Sequence, residues 1–320
     1  MYLLELAGTD DAFARREAAS RCTGVAELAP GVATARGCSR AETLAYTRRI
    51  CRLVGTCAPT VDDAVALLDA ASADIEGTVA VRARNVRGRT TVETQAAERR
   101  LGGVLTARGF DVDLDDPDHT LVALFSDTTA LGWLETETVR EFSSRRPTDR
   151  PFFQPGSMDP MDARALANIA GADANARVLD PMCGTGGILV EAGLVGSDVV
   201  GVDAQAKMVR GARENLAHYL DGGFETIQGD ATRLPLVDDS FAGAVFDTPY
   251  GRQSKIAGGS LDDLVTAALS EVRRVAQRAV IVGDRPWEEA AEASGWAVES
   301  RFDRRVHRSL VRYVLVLEQA

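Results

Sequence analysis

The carboxyl-terminal half of this chain alternates short apolar strands with helical segments, and this alternation most constrains the fold. From Met158 onward the sequence predicts the strands ARVLD, DVVGVD, ETIQGD, GAVFDT, RAVIVG and RYVLVLE, mostly separated by helices. Such alternation is typical of βαβ units in a parallel sheet. The closing segments, GWAVESRFDR and HRSLVRYVLVLE, instead predict an antiparallel hairpin. The predicted fold class is α/β and Rossmann-like.

Four of these strands end at an aspartate, and parallel sheets bind ligands at the carboxyl ends of their strands. The four residues are Asp180, Asp203, Asp230 and Asp247. A lone aspartate at the end of a strand is often only the N-cap of the next helix. Their succession in a βαβ context therefore favours a ligand site more than any one of them does.

A glycine-rich stretch, DPMCGTGGILVEAG, follows the first strand. Gly184, Gly186 and Gly187 predict a tight turn that lets a ligand approach the backbone. A dinucleotide-binding loop would need a third glycine where Leu189 stands, and no GKS or GKT follows as in a P-loop. We therefore expect a ligand without a pyrophosphate.

The next two strands end in groups that suit a nucleoside. Asp203 can accept hydrogen bonds from ribose hydroxyls, Asp230 can accept one from an adenine amino group, and Ala231 offers its backbone N–H. The acidic neighbourhood supplied by Asp180 suits a sulfonium cation. Together these features predict S-adenosylmethionine as the cofactor.

The fourth strand ends in the tetrapeptide DTPY, which suits the capture of an exocyclic base amine. Asp247 can accept one N–H, and the Thr248 carbonyl can accept another at a bend fixed by Pro249. The Tyr250 ring can stack on the base. An ordinary β-turn uses Asp and Pro in similar places, but beside a cofactor site this segment predicts N-methylation of a base.

These motifs resemble a known family. DTPY resembles the D/N-P-P-Y signature of amino methyltransferases acting on bases, with Thr248 in place of the usual first proline and a turn that is expected to be less rigid. The runs RPFFQPGSMDPMDAR, DPMCGTGG, GVDAQAKMVRGARENL, GDATRLP and HRSLVRYVLVLE look like those of the archaeal THUMP-containing tRNA guanine-N2 methyltransferases that modify guanosine 10. The stretch VRARNVRG, ERRLGGVL and VDLDDPDHT resembles their THUMP domain.

The resemblance implies a Rossmann-like S-adenosylmethionine-dependent methyltransferase domain preceded by an α+β THUMP-containing RNA-binding region. The expected divisions are an amino-terminal α/β (ferredoxin-like) region over 1–56, a THUMP domain over 57–140, a linker over 141–157 and the methyltransferase domain over 158–320. The implied product is N2-methylguanosine and then N2,N2-dimethylguanosine.

The resemblance also implies the site residues. Those expected to hold the cofactor are Asp180, Pro181, Cys183, Gly184, Gly186, Asp203, Asp230 and Ala231, with Phe153, Pro155 and Gly156 in a segment that closes over it. Those expected to hold the guanine and assist catalysis are Asp247, Thr248, Pro249 and Tyr250.

The charge of the chain bears on its partner and habitat. The net charge is −11, and lysine occurs only at Lys207 and Lys255. This composition suggests the cytoplasm of a halophile, or alternatively a GC-rich genome. Although the net charge is unusual for an RNA partner, residues 82–108 carry seven arginines against two glutamates, and residues 301–312 carry five against Asp303. Such patches can contact the phosphates of tRNA.

Cysteine, histidine and hydropathy patterns exclude other classes. Five cysteines at irregular spacing predict small core residues rather than a disulfide framework. The three histidines lack metal-ligand spacing, so no metal is expected. No signal peptide or membrane span is predicted. We expect a cytoplasmic protein without a membrane partner or an obligate protein partner, and from the family a monomer.

Other functions remain open at this point. The nearest alternative is an adenine-N6 or guanine-N2 methyltransferase that acts on DNA or ribosomal RNA. The chain could also be a non-catalytic tRNA-binding protein that kept the fold. A Rossmann oxidoreductase is disfavoured by Leu189.

Overall fold

A computed structural model describes residues 1–72, 75–249, 260–307 and 310–320. It divides the chain into an amino-terminal unit, Met1–Val139, and a carboxyl-terminal unit, Arg140–Ala320. The predicted linker, 141–157, lies in the second unit, where Phe142, Arg145 and Arg150 are buried.

The amino-terminal unit is a mixed α+β unit. Its helices and longer strands are β1 (Tyr2–Leu6), α1 (Asp11–Ala18), β2 (Cys22–Thr23), β3 (Ala26–Ala29), β4 (Val32–Ala35), β5 (Gly37–Cys38), β6 (Thr47–Cys57), α2 (Val61–Ala70), β7 (Val79–Asn85), α3 (Thr94–Ala107), β8 (His119–Phe125) and β9 (Thr129–Glu137). Seven of these described strands form one sheet in the order β3-β4-β1-β6-β9-β8-β7. This sheet joins residues on both sides of the predicted boundary at 56/57.

The helices α2 and α3 cover one face of this sheet because each has an apolar stripe. Leu68 of α2 and Leu101 and Leu105 of α3 pack with Leu121 of β8 in one buried cluster. The helix α3 ends before Gly109, whose φ of +91° is the left-handed conformation expected of a glycine after a helix.

Two cysteines of this unit correct the sequence-based expectation. Cys22 and Cys38 lie opposite each other in the β2–β5 ladder and form a disulfide across a Cα–Cα distance of 4.1 Å. The sequence did not predict this disulfide, because the two cysteines are 16 positions apart and come together only where β2 pairs with β5. Cys51 and Cys183 are free and buried, as predicted for small core residues.

The carboxyl-terminal unit confirms the predicted alternation of strands and helices. Its elements are α4 (Pro160–Ile169), β10 (Arg177–Asp180), α5 (Gly187–Leu194), β11 (Asp198–Asp203), α6 (Ala206–Tyr219), β12 (Phe224–Gln228), β13 (Gly243–Asp247), α7 (Leu261–Val275), β14 (Arg278–Gly283), α8 (Glu288–Ala293), β15 (Trp296–His307) and β16 (Leu310–Gln319). The described strands form a sheet in the order β12-β11-β10-β13-β14-β16-β15. The first five are parallel, and β16 and β15 are antiparallel as predicted.

The sheet order places a switch point at β10. This strand pairs with β11 on one side and β13 on the other. Chain connections leave a switch point in opposite directions, so a crevice opens at the carboxyl ends of these strands.

None of the helices in the described part of the chain combines the length and the apolar character that a membrane span requires.

Gly243, at the start of β13, packs directly against the end of α4. A Cβ atom at this position would lie 1.8 Å from the carbonyl oxygen of Ala170, which is backbone and cannot rotate away. We expect Gly243→Ala to lower the free energy of unfolding of the carboxyl-terminal unit by about 3 kcal/mol, as overpacking does. Chemical denaturation measures this loss.

Gly222 supplies the matched control, because a Cβ atom there would meet nothing within 4 Å. Gly222→Ala should change the free energy of unfolding by no more than about 0.5 kcal/mol. Equal stability of the two variants would contradict the close approach at Gly243.

Candidate active site

Three of the four strand-ending aspartates meet at the switch point. Asp180 ends β10, Asp203 ends β11 and Asp247 ends β13. They face one cavity of about 690 Å³, a volume typical of small-molecule sites. The lining residues are Gln154, Pro155, Gly156, Ser157, Met158, Asp180, Met182, Cys183, Gly184, Thr185, Gly187, Ile188, Asp203, Gln205, Met208, Asp247, Thr248 and Pro249.

Asp180 is the most buried carboxylate in this cavity wall, with 2% of its surface exposed. Its Oδ1 accepts a hydrogen bond of 3.0 Å from the Met182 backbone N–H. Burial raises the pKa of Asp180 well above its usual value, and the nearby carboxylates Asp203 and Asp247 raise it further. A bound cation would relieve this repulsion, so the site is suited to a positively charged ligand.

The Asp203 carboxylate accepts hydrogen bonds both from the glycine turn and from the residue that precedes α6. One carboxylate oxygen accepts from the Gly184 N–H at 3.0 Å, and the other accepts from the Gln205 N–H at 2.8 Å. Burial raises the pKa of Asp203, whereas these two hydrogen bonds oppose the shift. Each oxygen keeps a lone pair that can accept from a hydroxyl group. The carboxylate is thus held in one orientation with acceptor capacity to spare.

The glycine turn takes its shape from positive φ angles at Gly184 (50°) and Gly186 (73°). Gly186 precedes α5, and a Cβ atom there would lie 3.2 Å from the Cβ of Ala212 on α6. Asn215, also on α6 and fully buried, donates to the Thr185 carbonyl at 2.8 Å. These contacts fix the turn against two helices and leave its backbone facing the cavity.

Thr248 makes a hydrogen bond that a proline could not make. Its backbone N–H donates to the Val282 carbonyl of β14 at 2.8 Å, and only 3% of the residue is exposed. Proline lacks this donor. The turn after β13 is therefore held by an additional interstrand hydrogen bond where the family signature has a rigid ring, which offsets the loss of rigidity expected from the sequence.

Comparison with known proteins identifies the family of this chain. The family UPF0020, an RMKL-like methyltransferase domain, matches residues 147–313. The tRNA (guanine(10)-N2)-dimethyltransferase of Methanothermobacter thermautotrophicus is 38% identical over 285 residues, which are 86% of this chain and 83% of the relative. The chain belongs to this family of methyltransferases.

A second relative supports the assignment, and a solved structure shows a similar fold. The tRNA (guanine(10)-N2)-dimethyltransferase of Pyrococcus abyssi is 34% identical over 254 residues, 76% of this chain and 75% of its own. TrmN from Thermus thermophilus has a similar fold, with a TM-score of 0.51 at 23% identity over 100% of this chain and 99% of its own. The protein is therefore a methyltransferase, and its cofactor is S-adenosylmethionine.

The residues of the cavity fit this cofactor. Asp180 supplies a buried negative charge for the cationic methionine part, and Asp203 supplies oriented acceptors for the ribose. Because Gly184 has no side chain, the cofactor can approach its backbone closely. Bound in this cavity, S-adenosylmethionine supplies the methyl group, and the chain supplies the groups that hold and orient both substrates.

The structure brings many of the predicted site residues together at this cavity. Those on its wall are Pro155, Gly156, Asp180, Cys183, Gly184, Asp203, Asp247, Thr248 and Pro249. Pro181, Gly186 and Phe153 are not on the wall, although the first two belong to the turn that shapes it. Tyr250 lies outside the described residues.

Asp230, predicted to hold the adenine, is turned toward its own chain. Its Oδ1 accepts from both the backbone N–H and the hydroxyl of Thr232 at 2.8 Å, and these bonds lower the pKa of Asp230. Neither Asp230 nor Ala231 is among the cavity-lining residues. Their contact with adenine stays a prediction.

Several cavity residues carried no distinctive signal in the sequence. Ser157 and Thr185 connect the segment before α4 to the glycine turn, with their hydroxyl oxygens 3.2 Å apart. Met182, Ile188 and Met208 give the cavity apolar surface. Ser157 lies inside the run RPFFQPGSM, from which the sequence predicts the closing segment. Ser157 and its neighbours in this run could therefore have been predicted as site residues.

Proposed function

We propose that this protein transfers methyl groups to the exocyclic N2 amine of a guanosine in tRNA, at position 10, forming first the monomethyl and then the dimethyl nucleoside. The observation that carries this proposal is the position of Asp247, Thr248 and Pro249 on the wall that also holds Asp180 and Asp203. Amine acceptors and cofactor-binding carboxylates thus share one cavity. The names of the archaeal relatives support guanosine 10 as the target.

Asp247 and Thr248 would act on the amine directly. The lone pair of a guanine amine is delocalised into the ring, so the amine is a weak nucleophile. The Asp247 carboxylate and the Thr248 carbonyl each accept one N–H, which holds the nitrogen toward the methyl donor and favours positive charge on it. Methyl transfer would form the N–CH3 bond as the S–CH3 bond of S-adenosylmethionine breaks and S-adenosylhomocysteine leaves. One proton of the amine would pass to Asp247 and from there to water.

The amino-terminal unit would contact the tRNA. Several of its arginines at 82–108 form ion pairs with carboxylates, as in the pairs Arg87–Asp11, Arg89–Asp127 and Arg100–Asp62. Exposed pairs such as the last two contribute about 1 kcal/mol or less. A phosphate can therefore replace the carboxylate at little cost. We assign this unit to the THUMP-containing, tRNA-binding half of the enzyme.

We further propose that the enzyme works as a monomer in the cytoplasm of a halophilic archaeon. The net charge of −11 and the presence of only two lysines support the halophilic habitat. The monomeric state is what the resemblance to the family implies. In molar salt the screening length falls to about 3 Å. Recognition of tRNA would then depend on shape and on direct contacts more than on long-range attraction.

Methyl transfer to a tRNA transcript tests the proposal. With labelled S-adenosylmethionine at high salt, nucleoside mass spectrometry should detect N2-methylguanosine and N2,N2-dimethylguanosine. A matched transcript with adenosine at position 10 should remain unlabelled. Label on adenine, or on the control transcript at an equal rate, would contradict the assigned base or position. Binding of tRNA without labelling would indicate a non-catalytic binding protein.

A further inference from the structure

Arg312 is a buried arginine beside the proposed amine-binding carboxylate. It lies on β16, with 8% of its side chain exposed, and its Nη2 is 3.8 Å from Oδ2 of Asp247. The same nitrogen donates to the Gly156 carbonyl at 3.4 Å. One guanidinium thus contacts both the end of β13 and the segment 154–158, which also lines the cavity.

The surroundings of Asp247 are otherwise acidic at this cavity. Asp180 and Asp203, at the ends of β10 and β11, are carboxylates, and the buried thiol of Cys183 has a raised pKa. The negative charge of Asp247 contributes to the raised pKa of Asp180. Without a compensating cation, mutual repulsion would favour protonation of these carboxyl groups.

Other charged groups on the neighbouring elements are paired among themselves. Beyond β14, Arg285 forms an ion pair of 3.1 Å with Asp262 at the start of α7. On β15, Arg304 lies directly opposite Arg312 and forms an ion pair of 2.8 Å with Asp162 of α4. Arg312 lies within ion-pair distance of Asp247.

We propose that Arg312 is a positioning residue that keeps Asp247 ionised and turned toward the target amine. The inference rests on the proposed function. A protonated Asp247 would present a hydroxyl donor to the amine and could not take up its proton. A guanidinium about 4 Å away favours the ionised form, and burial strengthens the effect because little water screens it. The contact with Gly156 couples this carboxylate to the segment that borders the cofactor cavity.

The pH dependence of kcat tests this role. We expect Arg312→Gln to move the acid limb of the kcat profile, measured at saturating cofactor and tRNA, upward by about 1 pH unit or more. Activity should therefore recover toward the wild-type value as the pH rises. Arg312→Lys, which keeps a cation, should retain most of the wild-type profile. Arg304→Gln is the matched control and should leave the acid limb in place.

Two measurements separate positioning from a loss of structure. Arg312→Gln should still show a cooperative thermal unfolding transition, and its calorimetric affinity for S-adenosylhomocysteine at pH 8 should stay near wild type. If that variant does not fold, Arg312→Met keeps the buried volume without the charge and must show the same shift. A rate that falls by one factor at every pH would overturn the positioning role.

Failure of the proposed function gives a different result. If the wild-type protein does not methylate guanosine, the role of Arg312 falls with the assigned reaction. If the wild type is active and the Arg312→Gln profile is unshifted, only the positioning role is wrong.

Discussion

Asp247→Asn is expected to lower the single-turnover rate of methyl transfer by about a thousandfold, within the range that a proton-accepting group contributes. The amide keeps one acceptor oxygen, as in the N-P-P-Y form of the signature, but it cannot take the amine proton. Asp247 lies at the cavity wall with its side chain 22% exposed, so the isosteric change should leave cofactor and tRNA affinities near wild type.

Asp198 provides the matched control for this experiment. It begins β11 at the opposite end of the same sheet and is exposed. Asp198→Asn should retain the wild-type rate within about twofold, because surface changes away from special features have small effects. An Asp247→Asn enzyme that keeps its rate within about threefold would refute the role of this carboxylate in transfer.

Glu191→Gln is expected to lower the free energy of unfolding of the carboxyl-terminal unit by about 3–5 kcal/mol, the usual cost of breaking a buried ion pair. Glu191 on α5 is fully buried and contacts two guanidinium groups, Arg145 Nε and Arg164 Nη2, each at 2.8 Å. Replacing the carboxylate by an amide leaves two buried cations without a countercharge. The midpoint of thermal unfolding should fall by about 10 °C.

The exposed pair between Arg278 and Glu318 is the control for this effect. Its atoms are 2.9 Å apart, but the side chains are 37% and 46% exposed. Glu318→Gln should therefore change the free energy of unfolding by less than about 1 kcal/mol. Denaturation by urea compares both variants with the wild type, and equal stability of all three would show that burial does not strengthen the Glu191 cluster.

The ion pair between Glu191 and Arg145 also explains why residues 141–157, predicted to be a linker, belong to the carboxyl-terminal unit. The sequence 141–157 is polar and rich in proline, features typical of a connection between domains. Polarity alone could not reveal that Arg145 and Arg150 are buried. The partner of the buried Arg145 is Glu191 on α5, 46 residues away.

In the carboxyl-terminal unit, the local pattern of the chain was sufficient to predict the alternation of strands and helices and the residues at the strand ends. Apolar runs with aspartates after them define β10, β11 and β13, and Gly184 and Gly186 define the turn between β10 and α5. These are short-range properties, because side-chain alternation and backbone freedom act over a few residues. For the same reason the sequence predicted the antiparallel hairpin of β15 and β16.

Tertiary structure alone decided which of these residues meet. Sheet order brought Asp180, Asp203 and Asp247 to one cavity, while Asp230 was left with a local partner in Thr232. Strand pairing joined Cys22 to Cys38 and placed Arg312 beside Asp247. Contacts between residues far apart in sequence depend on the order of the strands in the sheet, which the pattern within one segment does not determine. The sequence determined the chemical groups available to this enzyme, and the fold determined their neighbours and hence their charge states.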